Sequence, residues 1–317
     1  MSGPGGPPTV MVSSWSDGLA ILQGGDVRHE FAGRLVCGLA PDRAGGIYAI
    51  VDSSELWASS PAGGWRLVAS SEFPLRCCVA VGGRLLVGTD DARVLELSGR
   101  GFSELEGLYA TPGRERWYAG AALIDGEWMG PPLGVRSMSA TCDSQALLVN
   151  MHVGGIPRST DEGRSWSPTI DIDADVHQVV GHPSRPQIVA AASAMGLCLS
   201  RDGGASWSIA TQGLHASYGS AVALTGDMLF LAASTDHFAA QGAVYRRPID
   251  SDGPLERVGG GLPEWLDGIA DTYCIDARGD DLVVVDRGGA LYGSQNQGSS
   301  WSLWAQGLPS PSGVLIC

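Results

Sequence analysis

The sequence predicts an all-β fold made of repeats, on three observations. The octapeptide Ser159-Thr160-Asp161-Glu162-Gly163-Arg164-Ser165-Trp166 recurs 41 residues later as Ser200-Arg201-Asp202-Gly203-Gly204-Ala205-Ser206-Trp207, and a weaker copy follows 94 residues on as Ser294-Gln295-Asn296-Gln297-Gly298-Ser299-Ser300-Trp301. All three fit S-x-[DN]-x-G-x-x-W, and 94 is close to two steps of 47. Between the copies lie short apolar runs punctuated by glycine and proline, with no long helical period. Finally, seven short runs can be set in one register along the whole chain. A period in the forties filled with strand-like segments is the signature of a β-propeller built from four-stranded blades.

Taken in order, residues 1–8 carry neither a basic n-region nor an apolar h-region, so they read as a disordered tail rather than a signal peptide. The propeller then occupies 9–317. Its first blade takes three strands from 9–15, 18–23 and 27–31. The innermost strands of the blades begin near Val36, Arg76, Arg136, His177, Gly219, Tyr273 and Gly313, at steps of 40, 60, 41, 42, 54 and 40 residues. Seven inner strands mean seven blades. The last run, 313–317, has no blade after it, so it supplies the inner strand of the first blade and closes the ring from both termini. The 60-residue step locates an insertion at about 108–134, on the face where the inner strands begin. The 54-residue step reflects a longer sixth blade and the segment 263–270. Each octapeptide falls in the hairpin between third and fourth strands. There its Gly permits positive φ, its Asp and Ser bond turn amides, and its Trp packs between blades.

Composition narrows the function. The net charge is −14, which argues against nucleic acid or an anionic membrane as partner. No apolar run approaches the roughly 18 residues of a membrane span. Seven cysteines without a CxxC pair read as buried free thiols in a reducing cytoplasm.

The three octapeptides resemble the BNR or Asp-box repeats of sialidases, sortilin-type receptors and photosystem II assembly factors of the Ycf48 kind. The segments VNMHVGGIPRSTDEGRSW, DVHQVVGHP and AVYRRP make the region from 149 to about 308 look similar to bacterial WD40/YVTN/BNR-like repeat proteins. The resemblance implies a propeller. It does not carry sialidase activity: sialidases of this class have six blades and an Arg-Ile-Pro motif, whereas here Gly155-Ile156-Pro157 lies just before a box.

The register points to a site. Arg76, Arg136, His177 and Tyr273 open four inner strands, so all four are expected around one rim of the axis, unless they bond carbonyls and plug the tunnel. The ends of the second strands add Asp90, His152, Asp236, His237 and Arg287 on the same face. His177 is the candidate general base, with Tyr273 as a second catalytic group. Arg76 and Arg136 form an anion clamp, with Arg287, Asp236 and Trp117 of the insertion as further substrate contacts. His152, His177 and His237 form a candidate metal set, whose cofactor would be one transition metal: Zn, Fe, Cu or Ni. The expected function is a small-molecule enzyme or binding protein acting on a small anion, by hydrolysis, elimination or isomerisation. The alternatives are a non-catalytic protein-assembly scaffold, and a glycan-binding or glycoside hydrolase-like propeller.

Overall fold

The computed structural model describes residues 6–42, 45–60, 63–118, 122–124, 127–129, 133–238 and 241–317, with 122–124 and 127–129 described by backbone alone. Residues 1–5 of the expected tail lie outside them, and 6–9 form no regular element. Seven four-stranded antiparallel sheets follow one another along the chain, with one extra two-stranded hairpin. The fold is a seven-bladed β-propeller. Its inner strands are Val36–Pro41, Leu75–Val81, Val135–Ala140, Val176–Gly181, Tyr218–Thr225, Ile275–Arg278 and Pro311–Ile316, and each packs on the next around the axis.

Blade five shows why these residues make these strands. Val189–Ser193 and Gly196–Ser200 are buried at every position, because both faces of a central strand meet a neighbouring blade. Continuous small apolar runs therefore replace the alternation expected of a half-solvated sheet. The fourth strand, Ser208–Ala210, faces solvent. The core consists of seams between blades, such as Leu148, Ile156, Val179, Val189 and Cys198 between blades four and five.

All three octapeptides form the same turn. In the first, Asp161 accepts from the Ser165 amide and hydroxyl at 2.9 and 2.6 Å, and Ser159 Oγ accepts from the Gly163 amide at 2.9 Å. Asp202 repeats the pattern with Ser206, while Asn296 accepts from the Ser300 amide at 2.9 Å but donates Nδ2 to the Ser300 hydroxyl at 2.8 Å. Trp166 and Trp301 are buried as expected, each donating to the carbonyl of its own box glycine. Trp207 is only half-buried and donates instead to Thr169 Oγ1 at 3.0 Å.

The first blade takes its inner strand from the C-terminus, with Val10 paired to Ile316 and Val12 to Val314. Inner strands have an edge with no further strand to pair. Here side chains of adjoining blades serve that edge: Ser137 and Ser139 accept from the Val179 and Gly181 amides, Gln178 from Val222, and Asp276 from Ile316. This meets the requirement that buried backbone groups be paired.

Blade seven departs from the expected register. Its inner strand starts at Ile275, because residues 271–273 leave the sheet and turn into the axis, with Tyr273 at φ 65°. The Tyr273 hydroxyl accepts from the Met138 amide of blade four at 3.1 Å. Its amide donates to Gln178 of blade five, and its carbonyl accepts from Val314 of blade one. Tyr273 is thus not a rim residue but a bar across the tunnel. Burial pushes its phenol well above the ordinary value.

Candidate functional site

Above the bar, on the face where the inner strands begin, four successive blades share one irregularity. Their pairing skips a residue between Leu75 and Cys77, Val135 and Ser137, Val176 and Gln178, and Gly219 and Ala221. The skipped residues are Arg76, Arg136, His177 and Ser220. A bulge bends its strand and re-aims the extra side chain, and bulges recur beside functional sites. The bulges therefore deliver Arg76, Arg136 and His177 to one face, as the sequence register anticipates, and put Ser220 rather than Gly219 in the equivalent place.

Each delivered side chain meets a carboxylate. Arg136 lies 3.5 Å from Asp271 and 3.2 Å from Thr272 Oγ1, both on the crossing segment. Arg287 reaches the other oxygen of Asp271 at 3.6 Å and donates to the His237 carbonyl at 2.9 Å. Burial opposes the charge of Asp271, but Arg136, the Thr272 amide and nearby imidazoles hold it below the ordinary carboxylate value. Arg76 stands apart from that pair, 3.9 Å from Asp90 and 4.5 Å over the Trp15 ring. Arg76 and Arg136 share a face but grip different carboxylates, so they do not form the expected clamp. The two guanidiniums that converge are Arg136 and Arg287.

His177 is 0% exposed. Its Nδ1 faces the Gly219 carbonyl at 2.5 Å and its Nε2 faces Asp175 Oδ1 at 3.2 Å. A carbonyl only accepts, so Nδ1 carries the hydrogen. With Nδ1 on the Gly219 carbonyl, Nε2 enclosed beside the buried Asp175 Oδ1 and no surface, His177 cannot touch a substrate as its base. The Tyr218 ring packs over it at 4.5 Å, and burial pushes that phenol up to about 12. Asp175 has its Oδ1 buried between His177 and His152, the latter at 3.7 Å, while the side chain as a whole is 34% exposed. Burial raises its affinity for a proton, but His177, His152 and Arg136 hold it below the ordinary value. His152 is pushed down to about 4, first by burial and then by Arg136.

The three histidines do not converge as a metal requires. Among the described residues, no three His, Cys, Asp or Glu side chains are placed to hold a metal ion. The physical reason is that His177 spends Nδ1 on the Gly219 carbonyl and turns Nε2 toward the buried Asp175 oxygen, while His237 sits on an exposed turn. Asp236 is on the same turn and caps the Phe238 amide at 2.7 Å.

Trp117 is 6% exposed and packs among blades three and four, with the Arg114 guanidinium 4.8 Å over its ring. It covers an apolar patch and is not a substrate contact. The insertion continues through Tyr118, bridged to Val153, into the hairpin of Ala122–Ile124 with Glu127–Met129. The side chains of Glu127 and Trp128, expected in a lid, lie outside the described residues.

Sequence reasoning missed Asp175, Tyr218, Asp271 and Thr272. Asp175 was within reach, being two residues before His177 and so placed at the strand's entry. Asp271 and Thr272 were not, since nothing in the sequence shows that blade seven turns inward.

Other histidines take no part. His182 accepts two turn amides at Nδ1 and meets the Gly226 carbonyl at 2.7 Å. His215 is exposed and bonds Tyr245. Five cysteines are buried and unpaired, but against the expectation of buried thiols Cys142 is exposed and Cys317 half-buried.

No family model matches this chain, and no curated protein does. Solved structures resemble it in fold. An ancestral GH74 enzyme superposes with a TM-score of 0.59 at 14% identity, covering 94% of this chain and 40% of its own. The GH74 xyloglucanase from Xanthomonas campestris gives 0.57 at 15%, covering 94% and 47%. The Pan2 WD40 domain of Neurospora crassa gives 0.55 at 11%, covering 89% and 81%. This chain thus spans under half the length of the GH74 enzymes it matches. The likeness defines the class, a seven-bladed β-propeller with GH74 and WD40 neighbours.

Proposed function

We propose that this propeller is a small-molecule enzyme or binding protein whose ligand is a small carboxylate or phosphate held above the Tyr273 bar. One observation carries the reading: Arg136 and Arg287 converge on a single carboxylate, Asp271, at 3.5 and 3.6 Å. Arg136 answers both Asp271 and Asp175, so Arg287 is the guanidinium with charge to offer an anion in a protein that is acidic overall. Local charge prevails there, since exposed carboxylates farther than a Debye length, about 8 Å, are screened. Asp175 is the group with both a supporting pair of histidines and exposed surface, so it takes the proton-transfer role, with His177 as its positioning residue. Proton transfer is common to hydrolysis, elimination and isomerisation.

The octapeptide turns further support membership of the Asp-box propellers, and the unpaired buried thiols support a reducing, cytoplasmic setting. A second reading, a protein-binding scaffold, rests on Phe238 and Tyr118, exposed at 73% and 53%.

The test is calorimetric titration with inorganic phosphate, succinate and citrate. At least one is expected to bind, and Arg287→Gln to weaken it about tenfold, a loss of ~1.4 kcal/mol, at an unchanged melting temperature of the free protein. Binding by none of them, or equal binding by the variant, sinks the proposal. If the anion is a carboxylic acid, solvent deuterium is expected to enter its α-carbon, and Asp175→Asn to stop that exchange while keeping the binding.

A further inference from the structure

Beneath the Tyr273 bar the tunnel opens into a second compartment, a cavity of about 310 Å³ walled by the inner strands of all seven blades. Its lining is apolar through residues such as Leu39, Val79, Met138, Val180 and Leu224, and Tyr273 forms its roof. Asp276 is the one carboxylate in that lining, and no Lys, Arg or His accompanies it there.

A second, independent feature points the same way. Six backbone donors on or next to this wall are spent. Gly181 donates to Ser139, Val179 to Ser137, Val222 to Gln178, Met138 to the Tyr273 hydroxyl, Val314 to the Tyr273 carbonyl and Ile316 to Asp276. In an antiparallel strand the N–H and C=O of one residue point to the same side. Those residues therefore turn carbonyls, not amides, along the same wall. A wall with these donors spent, their carbonyls beside them and one carboxylate suits a ligand that brings donors and positive charge.

We propose that the lower half of the axial tunnel binds a small organic cation, a primary ammonium on an apolar body, with Asp276 as its counter-ion. The carboxylate accepts the Ile316 amide at 2.8 Å and has further lone pairs for an ammonium. A cavity near 300 Å³ is at the small end of ligand pockets, which limits the body to about one ring. This site is separate from the anion well above the bar and does not depend on it.

Burial raises Asp276 to about 6, against the Ile316 and Ala277 amides and the Arg278 guanidinium. The charged or titratable groups around it are Arg278 on its own strand and the Cys317 thiol beyond the neighbouring strand, itself raised to about 11 and so neutral across the range used here. An ammonium pairs with the ionised carboxylate, so affinity is expected to rise as pH climbs through about 6.

The experiment titrates the full chain with 2-phenylethylamine, 2-phenylethanol and 3-phenylpropionate by calorimetry at pH 7.5, on wild type and Asp276→Asn. Asn keeps an oxygen for the Ile316 amide while removing the charge. The amine is expected to bind at least tenfold tighter than the alcohol, the propionate not to bind, and Asp276→Asn to remove the amine's advantage. An alcohol that binds as well as the amine, a variant that keeps the preference, or no binding at all overturns the proposal. Should Asp276→Asn not fold, the pH series on wild type decides, since an affinity flat between pH 5 and 7.5 overturns it equally.

Discussion

His152 is a buried imidazole 3.7 Å from Asp175 and within the field of Arg136, and its burial has a cost that depends on pH. Its folded value of about 4 lies below its ordinary 6.5. The unfolded chain therefore takes up a proton as pH drops through 6.5, while the folded chain does not until about 4. Stability is full above 6.5 and falls as pH goes down to 4, by an amount on the order of 3 kcal/mol. His152→Gln removes that linkage. Its melting temperature is expected to fall less than that of wild type between pH 7 and pH 4, and parallel curves would refute the argument. The sequence placed His152 and His177 on one face correctly, because repeat register fixes which end of a strand a residue occupies. It misjudged what they touch. Register cannot show that His177 is the extra residue of a bulge, which turns its ring toward Gly219 and Asp175 and away from solvent.

Among the elements, the box turns separate two contributions that the sequence shows as one. The Asp-to-Ser bonds are alike in the first two copies, but the tryptophans are not. Trp166 is 4% exposed and sits in the seam of blades three and four, whereas Trp207 is half-buried. Trp166→Ala is therefore expected to cost about 3–5 kcal/mol, as for a large core side chain, and Trp207→Ala well under half of that. Chemical denaturation of the two variants checks the order, and equal losses would mean that the turn bond, not the seam, sets the cost. The segment 271–273 is the element the sequence concealed. Aligned by spacing, Tyr273 opens an inner strand like the others. Its positive φ and three cross-ring partners make it the bar instead, and a residue's long-range partners leave no trace in local periodicity. Asp271 and Thr272 reach Arg136 only because that bar carries them there.

At the scale of the whole ring, blade number and closure were legible because a propeller is a one-dimensional repeat: counting inner strands counts blades, and an orphan strand at one end must find the other. The closing strand Pro311–Ile316 does more than fill a gap. Val314 and Ile316 are buried in the seam with blade seven, Ser312 bonds the Val36 carbonyl at 2.5 Å and the Ser13 hydroxyl at 2.8 Å, and the Cys317 amide donates to Thr9 at 2.9 Å. Burying two branched aliphatic side chains is worth about 1.5–3 kcal/mol each. Domains of this kind are stable by only about 5–15 kcal/mol, so a chain ending at residue 310 is expected to lose cooperative melting and to bind a hydrophobic dye. That outcome alone does not separate closure from the loss of seven residues. A circular permutant does. Joining Cys317 to Thr9 through a short glycine linker and opening the chain at the exposed turn Gly24-Gly25 keeps every strand and the mixed first blade, while making its inner pairing continuous in sequence. The turn is open, with nothing near either glycine. The permutant is expected to melt cooperatively within a few degrees of wild type. If it unfolds as readily as the truncated chain, closure by the C-terminal strand is not what holds the ring.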